Sequence, residues 1–133
     1  MKVYNCLFCN KECRFDNRNK NKYCGNQCQQ DFQYEKYIAE WKQGLIDGTK
    51  GGEQTSSYIH RYIRKKFNNT CTTCNNDKWL DEPITLELEH IDGDSANNKE
   101  DNLTILCPNC HSKTLTYKAK NKGNGRQSRR KTI

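Results

Sequence analysis

Hydrophobic residues are scarce in this chain of 133 residues. They make up 32% of it, and its mean hydropathy is −1.18. No stretch is long and apolar enough to span a membrane, and the first ten residues hold one lysine and no apolar run typical of a signal peptide. We therefore expect a cytoplasmic protein with no membrane contact and with reduced thiols. A chain this small and polar also needs reinforcement beyond an apolar core.

Nine cysteines are the candidates for that reinforcement. In a reducing compartment, paired cysteines are more often zinc ligands than disulfides, and an odd number does not favour a framework made only of disulfides. The first cluster joins Cys6-x-x-Cys9 to Cys24-x-x-x-Cys28 through a polar loop of 14 residues. Four thiolates in two knuckles match a closed tetrahedral zinc site. Cys13 is left over, either as a bystander or as a competing ligand.

A second cluster has wider spacing. It consists of two Cys-x-x-Cys pairs separated by 32 residues: Cys71, Cys74, Cys107 and Cys110. Because a plain zinc ribbon has a shorter gap, the gap must contain structure of its own. Residues 84–89 alternate between apolar and polar, which predicts a half-buried strand, and residues 103–106 predict a second one. A structural zinc would then clamp both ends of a hairpin.

Two helices are predicted outside this hairpin. The first carries an apolar stripe at helical spacing: Tyr34, Ile38, Trp41 and Leu45. The second would begin at Ser56 or Ser57 and turn Ile59, Ile63 and Phe67 inward. Glycines between them indicate a linker. The predicted organisation is therefore a zinc ribbon with its helix over 1–43, a flexible linker over 44–55, a second zinc-stapled domain over 56–120 and a basic flexible tail over 121–133.

The formal charge of +7 and the isoelectric point near 8.9 favour a polyanionic partner. Basic residues off the apolar stripe of the second helix, and basic residues near the C-terminus, are the candidate nucleic-acid contacts: Arg61, Arg64, Lys65, Lys118, Lys120, Lys122, Arg126, Arg129 and Arg130. Such residues gain affinity for nucleic acid by releasing counterions from phosphates. The alternatives are a solvated helix face and a solubilising tail.

The hairpin of the second cluster displays chemistry-bearing residues in a defined order. Glu89-His90 ends its first strand, Asn102 begins its second, and His111 follows the last cysteine. With Cys-x-x-Cys before the final histidine, the stretch 86–117 resembles the HNH endonucleases, especially small bacteriophage members with an N-terminal zinc ribbon. The resemblance implies an α+β, zinc-stapled fold. In it, a zinc ribbon and helix precede a C-terminal ββα-metal HNH nuclease domain, and four cysteines hold zinc in each part.

The resemblance also implies the activity, which is metal-dependent hydrolysis of phosphodiester bonds in double-stranded DNA. His90 would be the general base, since a neutral imidazole can accept a proton from water at neutral pH. Glu89 and His111 would hold one catalytic divalent cation, magnesium or manganese, although nickel or zinc would bind more tightly. Asn102 would hydrogen-bond across the loop and hold the backbone of His90. Glu89 departs from the aspartate or histidine of many members.

Two of these residues also have a simpler interpretation. Glu89 could be a solvated strand residue, because consecutive strand residues point to opposite faces, and His111 could flank the zinc knuckle. A non-catalytic, zinc-containing DNA-binding regulator is the alternative function. We expect a monomer, with a dimer left open, in the cytoplasm of a bacterial host cell if the gene belongs to a phage. Homing or nicking is the expected type of activity, and the target sequence stays open.

Overall fold

A computed structural model gives the fold of residues 2–18, 20–50 and 54–114. The chain divides into two compact units, Met1–Glu40 and Trp41–Ile133. Among the residues that the structure describes, no helix is long and apolar enough to cross a membrane. The predicted basic tail lies outside the described residues, and so do all the candidate contacts from Lys118 onward.

The first unit contains a short hairpin and the start of a long helix. Strands β1 (Val3–Asn5) and β2 (Glu12–Arg14) pair antiparallel. Helix α1 (Asn26–Lys42) begins just before the last cysteine of the first cluster. Tyr34, Ile38 and Trp41 of the predicted stripe are buried, whereas Leu45 is exposed because the helix ends three residues before it.

Two short strands lie near the start of the second unit, where the sequence predicts a linker. Strands β3 (Thr49–Lys50) and β4 (Gln54–Thr55) pair antiparallel across part of the segment 44–55. Helix α2 (Ser57–Lys66) follows, and the Ser56 side chain caps it by accepting a hydrogen bond from the backbone N–H of Tyr58. Ile59 and Ile63 of α2 are fully buried, and each such side chain stabilises the fold by about 1.5–3 kcal/mol.

Two further hairpins complete this unit. Strands β5 (Lys78–Trp79) and β6 (Glu82–Pro83) form the first, and strands β7 (Glu87–His90) and β8 (Leu103–Leu106) form the second. The predicted strand 84–89 therefore begins three residues late. The backbone N–H of Ile84 donates to the carbonyl of Asp77, so Ile84 belongs to the base of the β5–β6 hairpin instead.

The elements around β7 and β8 create the core of the second unit. Helix α2 packs on β8, whose Leu103 and Ile105 are buried. A 3₁₀ turn (Glu100–Asn102) leads into β8, and the short helix α3 (Pro108–Ser112) packs on both strands. The fold is thus a small mixture of helices and antiparallel strands, with α3 packed beside β7.

Candidate functional site

The structure assembles both cysteine clusters. In each cluster the four Sγ atoms lie within 4.8 Å of one another: Cys6, Cys9, Cys24 and Cys28, and Cys71, Cys74, Cys107 and Cys110. Measured pairs are Cys9 to Cys24 at 3.7 Å and Cys74 to Cys107 at 3.9 Å. Thiolates at about 2.3 Å from a tetrahedral zinc ion would be about 3.8 Å apart. Both groups could therefore hold zinc.

Cys13 stands outside the first group. It lies on β2, and its Sγ donates a long hydrogen bond of 3.6 Å to the carbonyl of Lys11. In the structure, Cys13 is therefore separate from the four cysteines of the first cluster.

Two thiols of the second cluster differ in pKa. Burial raises the pKa of Cys71, but the backbone N–H groups of Cys74 and Cys107, with others, outweigh burial and lower the pKa to about 6. Burial and the neighbouring thiols raise the pKa of Cys110 to about 12. Crowded thiols cannot all ionise without a cation among them, and zinc binding supplies that charge.

The packing of α3 against β7 brings Glu89 and His111 together. Nε2 of His111 lies 2.6 Å from Oε2 of Glu89, and Nδ1 of the same ring lies 2.6 Å from Oε2 of Glu87. Residues two apart on a strand share a face, so both carboxylates point toward the imidazole. Glu89 is only 6% exposed. The solvated interpretation of Glu89 does not describe this structure.

The position of the His111 imidazole between two carboxylates shows whether these side chains could bind a cation. A neutral imidazole carries one N–H, so it can donate to only one of the two glutamates. The other nitrogen needs either a second proton or a metal ion beside it. A carboxylate and an imidazole nitrogen are both ligands of divalent transition ions and leave further coordination positions open. Glu89 and Nε2 of His111 could therefore bind a cation, while Glu87 accepts a hydrogen bond from Nδ1 of the same ring.

Sequence analysis missed Glu87. The signal was available, because Glu87 and Glu89 have the same strand parity and must share a face. What the sequence does not contain is the position of α3, which places the His111 ring between them.

His90 makes a separate set of contacts. Its Nε2 lies 2.8 Å from Oδ1 of Asn98 and 3.4 Å from Oγ1 of Thr55. The hydroxyl of Thr55 donates to the same Asn98 oxygen at 2.8 Å. Asn98 is 3% exposed and His90 is half-buried. The structure therefore places His90 against two polar residues that sequence analysis did not select.

Asn102 closes the loop that follows His90. Its Nδ2 donates to Oδ1 of Asp92 at 3.0 Å and to the carbonyl of Asn97 at 2.8 Å, and its Oδ1 accepts from the backbone N–H of Asp92. Its backbone carbonyl accepts from the N–H of Ile91 at 2.9 Å. Asn102 thus holds the two residues after His90.

The candidate contacts within the described part of α2 are exposed: Arg61, Arg64 and Lys65. Beside them, burial lowers the pKa of His60, and the nearby charge of Arg64 lowers it further. Exposed cations on a helix can contact phosphate groups of nucleic acid.

Comparison with known proteins gives an informative match. The curated "H-N-H endonuclease F-TflIV" of Escherichia phage T5 is 57% identical over 53 residues, which are 40% of this chain and 23% of that protein. This chain is similar to an HNH endonuclease. The resemblance inferred from the motif is confirmed, although the chain spans less than a quarter of the relative's length. No family model and no solved structure matches.

Some residues of the HNH-like motif lie in contact in the structure, and others do not. It brings Glu89 to His111 and attaches Asn102 to the loop after His90. His90 directly follows Glu89 in the chain, so their Cα atoms are about 3.8 Å apart, but its ring contacts Asn98 and Thr55.

Proposed function

We propose that this protein is a metal-dependent endonuclease of the HNH family that hydrolyses phosphodiester bonds of double-stranded DNA. The observation that carries the proposal is the buried contact between Glu89 and His111, one residue from His90 at the end of β7. The phage T5 relative, itself named an HNH endonuclease, supports the reaction class. A ββα-metal arrangement of β7, β8 and α3 is part of this proposal.

His90 is the general base. A neutral imidazole that accepts the proton of an attacking water contributes about 10²- to 10⁴-fold to the rate. The water gives one proton to His90 and attacks phosphorus, the bond to the 3′ oxygen breaks, and the leaving oxygen takes a proton from solvent, so the products carry 5′-phosphate and 3′-hydroxyl ends.

Glu89 and His111 are the ligands of the catalytic cation. A bound magnesium or manganese ion would stabilise the negative charge on the phosphate and on the leaving oxygen. Glu87 accepts from Nδ1 of His111, which turns Nε2 of that ring toward Glu89. The two carboxylates therefore have different roles on one strand face.

Asn102 is a positioning residue. Its three side-chain hydrogen bonds fix the loop from Asp92 to Asn97, which begins two residues after the general base. The exposed cations of α2 contact phosphates outside the scissile one, together with the basic residues of the tail.

One site of this kind cuts one strand for each binding event, so we propose nicking as the elementary activity. The alternative, a zinc-containing DNA-binding regulator without catalysis, is favoured by the exposed cations of α2 and by the two cysteine clusters. It gives no reason for a buried carboxylate to lie against His111.

Cleavage of supercoiled plasmid with magnesium or manganese tests the proposal. The protein should convert supercoiled DNA to the open circular form, and His90→Ala should lose cleavage by about 10²-fold or more while keeping DNA affinity. His60→Ala is the matched histidine exchange and should cleave like the parent protein. Equal cleavage by His90→Ala would remove the mechanism, and binding without cleavage under any divalent cation would favour the regulator.

A further inference from the structure

The contacts of the His90 ring single out one of its two nitrogens. Among the described groups, Nε2 faces both Asn98 and Thr55. We propose that Asn98 and Thr55 are positioning residues that keep the proton on Nε2 and leave Nδ1 of His90 free to take the proton of the attacking water. This inference rests on the proposed nuclease function and assigns the reacting atom within it.

The direction of these hydrogen bonds follows from the number of hydrogens available. The Thr55 hydroxyl has one hydrogen and gives it to Oδ1 of Asn98 at 2.8 Å. A carbonyl oxygen has two lone pairs, and the second one faces Nε2 of His90 at 2.8 Å. The Thr55 oxygen, with its own hydrogen engaged, also presents a lone pair to Nε2 at 3.4 Å. Two acceptors around one ring nitrogen require that nitrogen to carry the hydrogen.

A neutral imidazole with the hydrogen on Nε2 has its lone pair on Nδ1. Since Nε2 is occupied by protein groups, Nδ1 is the nitrogen that can meet a water. The opposite orientation of the Asn98 amide would donate a hydrogen to Nε2 and move the ring hydrogen to Nδ1, which would abolish the base. The orientation in the structure is the one that general-base catalysis requires.

Asn98 is held firmly enough to enforce this choice. Its backbone carbonyl accepts from the indole N–H of Trp41 at 2.7 Å, and its side chain is buried. Its Nδ2 is buried and has no hydrogen-bond partner among the residues that the structure describes. An unsatisfied buried donor costs stability, and a catalytic role is one explanation for such a group in a native structure. In the orientation that the structure shows, the amide presents Oδ1 to both Thr55 and His90.

Two pairs of variants separate positioning from packing. Thr55→Val removes the hydroxyl at nearly constant shape, while Thr55→Ser keeps it. Asn98→Ala removes the acceptor, while Asn98→Asp keeps an acceptor oxygen at the same position. Thermal unfolding of each full-length protein identifies any variant that fails to fold, and the threonine pair remains informative if the buried asparagine exchange does so.

The first readout is the tautomer, which needs no DNA. Two-bond ¹H–¹⁵N correlation spectra of the zinc-loaded full chain, at a pH where free imidazole is neutral, should show the hydrogen of His90 on Nε2. In Asn98→Ala the same signals should shift toward a mixture of both tautomers. A hydrogen on Nδ1 of His90 in the parent protein would overturn the inference.

The second readout is single-turnover cleavage of a DNA duplex. Asn98→Ala and Thr55→Val should slow cleavage by about 10- to 100-fold, as for other residues that orient a functional imidazole. DNA affinity should not change, and Thr55→Ser and Asn98→Asp should recover most of the rate. Unchanged rates in Asn98→Ala and Thr55→Val would also overturn the inference. A parent protein with the Nε2 hydrogen but no cleavage would instead refute the nuclease proposal and the catalytic role of this pair with it.

Discussion

At the scale of single residues, His111 is the most informative side chain of the site. Its two nitrogens each face a carboxylate at 2.6 Å, from Glu87 on one side and Glu89 on the other. The half-exposed Glu87 can remain hydrogen-bonded while Glu89 and Nε2 turn to a cation. The proposed roles of the two glutamates, one toward the cation and one toward the imidazole, are consistent with their different burial.

Glu87→Ala tests this division. Because a ligating histidine loses affinity when its orienting partner is removed, the variant should need about 10- to 100-fold more manganese for half-maximal cleavage. Its rate at saturating manganese should stay near that of the parent protein. Glu82→Ala, an exposed glutamate on β6, is the matched control. An unchanged manganese requirement would show that Glu87 does not support His111.

At the scale of elements, α2 is tied to the 3₁₀ turn before β8 by a polar contact. The hydroxyl of Tyr62 donates to Oε2 of Glu100 at 2.7 Å, and Nζ of Lys66 lies 3.2 Å from the same oxygen. The hydrogen bond from Tyr62, followed by the charge of Lys66, holds the pKa of Glu100 below its ordinary value. A carboxyl with a lowered pKa in the folded protein stabilises it above the pKa of the unfolded chain, and this stabilisation is lost as the pH falls.

Tyr62→Phe should therefore lower the free energy of unfolding by about 1 kcal/mol at neutral pH. The ring is retained, so its edge-to-face contact with Trp41 is kept. The difference from the parent protein should vanish at a pH below the pKa of Glu100, where the carboxyl is protonated in both states. Urea unfolding at a series of pH values measures this, and a difference independent of pH would contradict it.

The backbone just before β3 depends on a glycine. Gly48 has φ +84°, and a Cβ there would lie 2.3 Å from Cδ1 of Ile59 and 3.3 Å from Cδ1 of Trp41. A side chain at position 48 would make the left-handed backbone conformation unfavourable. It would also collide with the packed core of the second unit.

Gly48→Ala should lower the free energy of unfolding by roughly 2–5 kcal/mol, the sum of about 1–2 for the positive φ and about 1–3 for overpacking. Gly44 has φ +78° but open space around it, so Gly44→Ala should lose only the first part. Thermal or urea unfolding of both variants gives the comparison. Equal losses would mean that the close approach to Ile59 costs nothing.

Local periodicity was sufficient to predict some elements and not others. Strand β8 occupies the predicted residues 103–106, and α2 buries Ile59 and Ile63 as expected. The β5–β6 hairpin was missed because its turn uses Leu80 and Asp81 at positive φ, where a sequence pattern expects glycine or asparagine. Leu80 is 81% exposed and Trp79 is 60% exposed, so this hairpin also lacks the buried apolar residues that a strand pattern relies on.

The sequence likewise predicts some residues of the candidate site and not others. Glu89, His90, Asn102 and His111 are selected by a motif that lies within one hairpin and its following helix. Thr55 and Asn98 contact His90 across 35 and 8 residues of chain, and only the packing of three segments brings them together. Local sequence patterns do not encode such contacts.

At the scale of the whole molecule, the two cysteine clusters replace much of the apolar core that the composition lacks. The second cluster joins the loop after α2 to the start of α3, so its zinc would fix the helix that carries His111. Metal binding and folding are then coupled.

Native mass spectrometry of the full chain should find two zinc ions, and Cys107→Ser should retain one and unfold at a markedly lower temperature. Cys13→Ser should keep both ions, because Cys13 stands outside the first group of four. A zinc ion lost from Cys13→Ser would contradict the assignment of that group.

The most direct test of the central claim is electron paramagnetic resonance of manganese added to the zinc-loaded protein. The parent protein should bind one weakly held manganese ion, and Glu89→Gln should lose that ion together with plasmid cleavage while both zinc ions remain. Undiminished manganese binding in Glu89→Gln would contradict a catalytic cation held by Glu89 and His111.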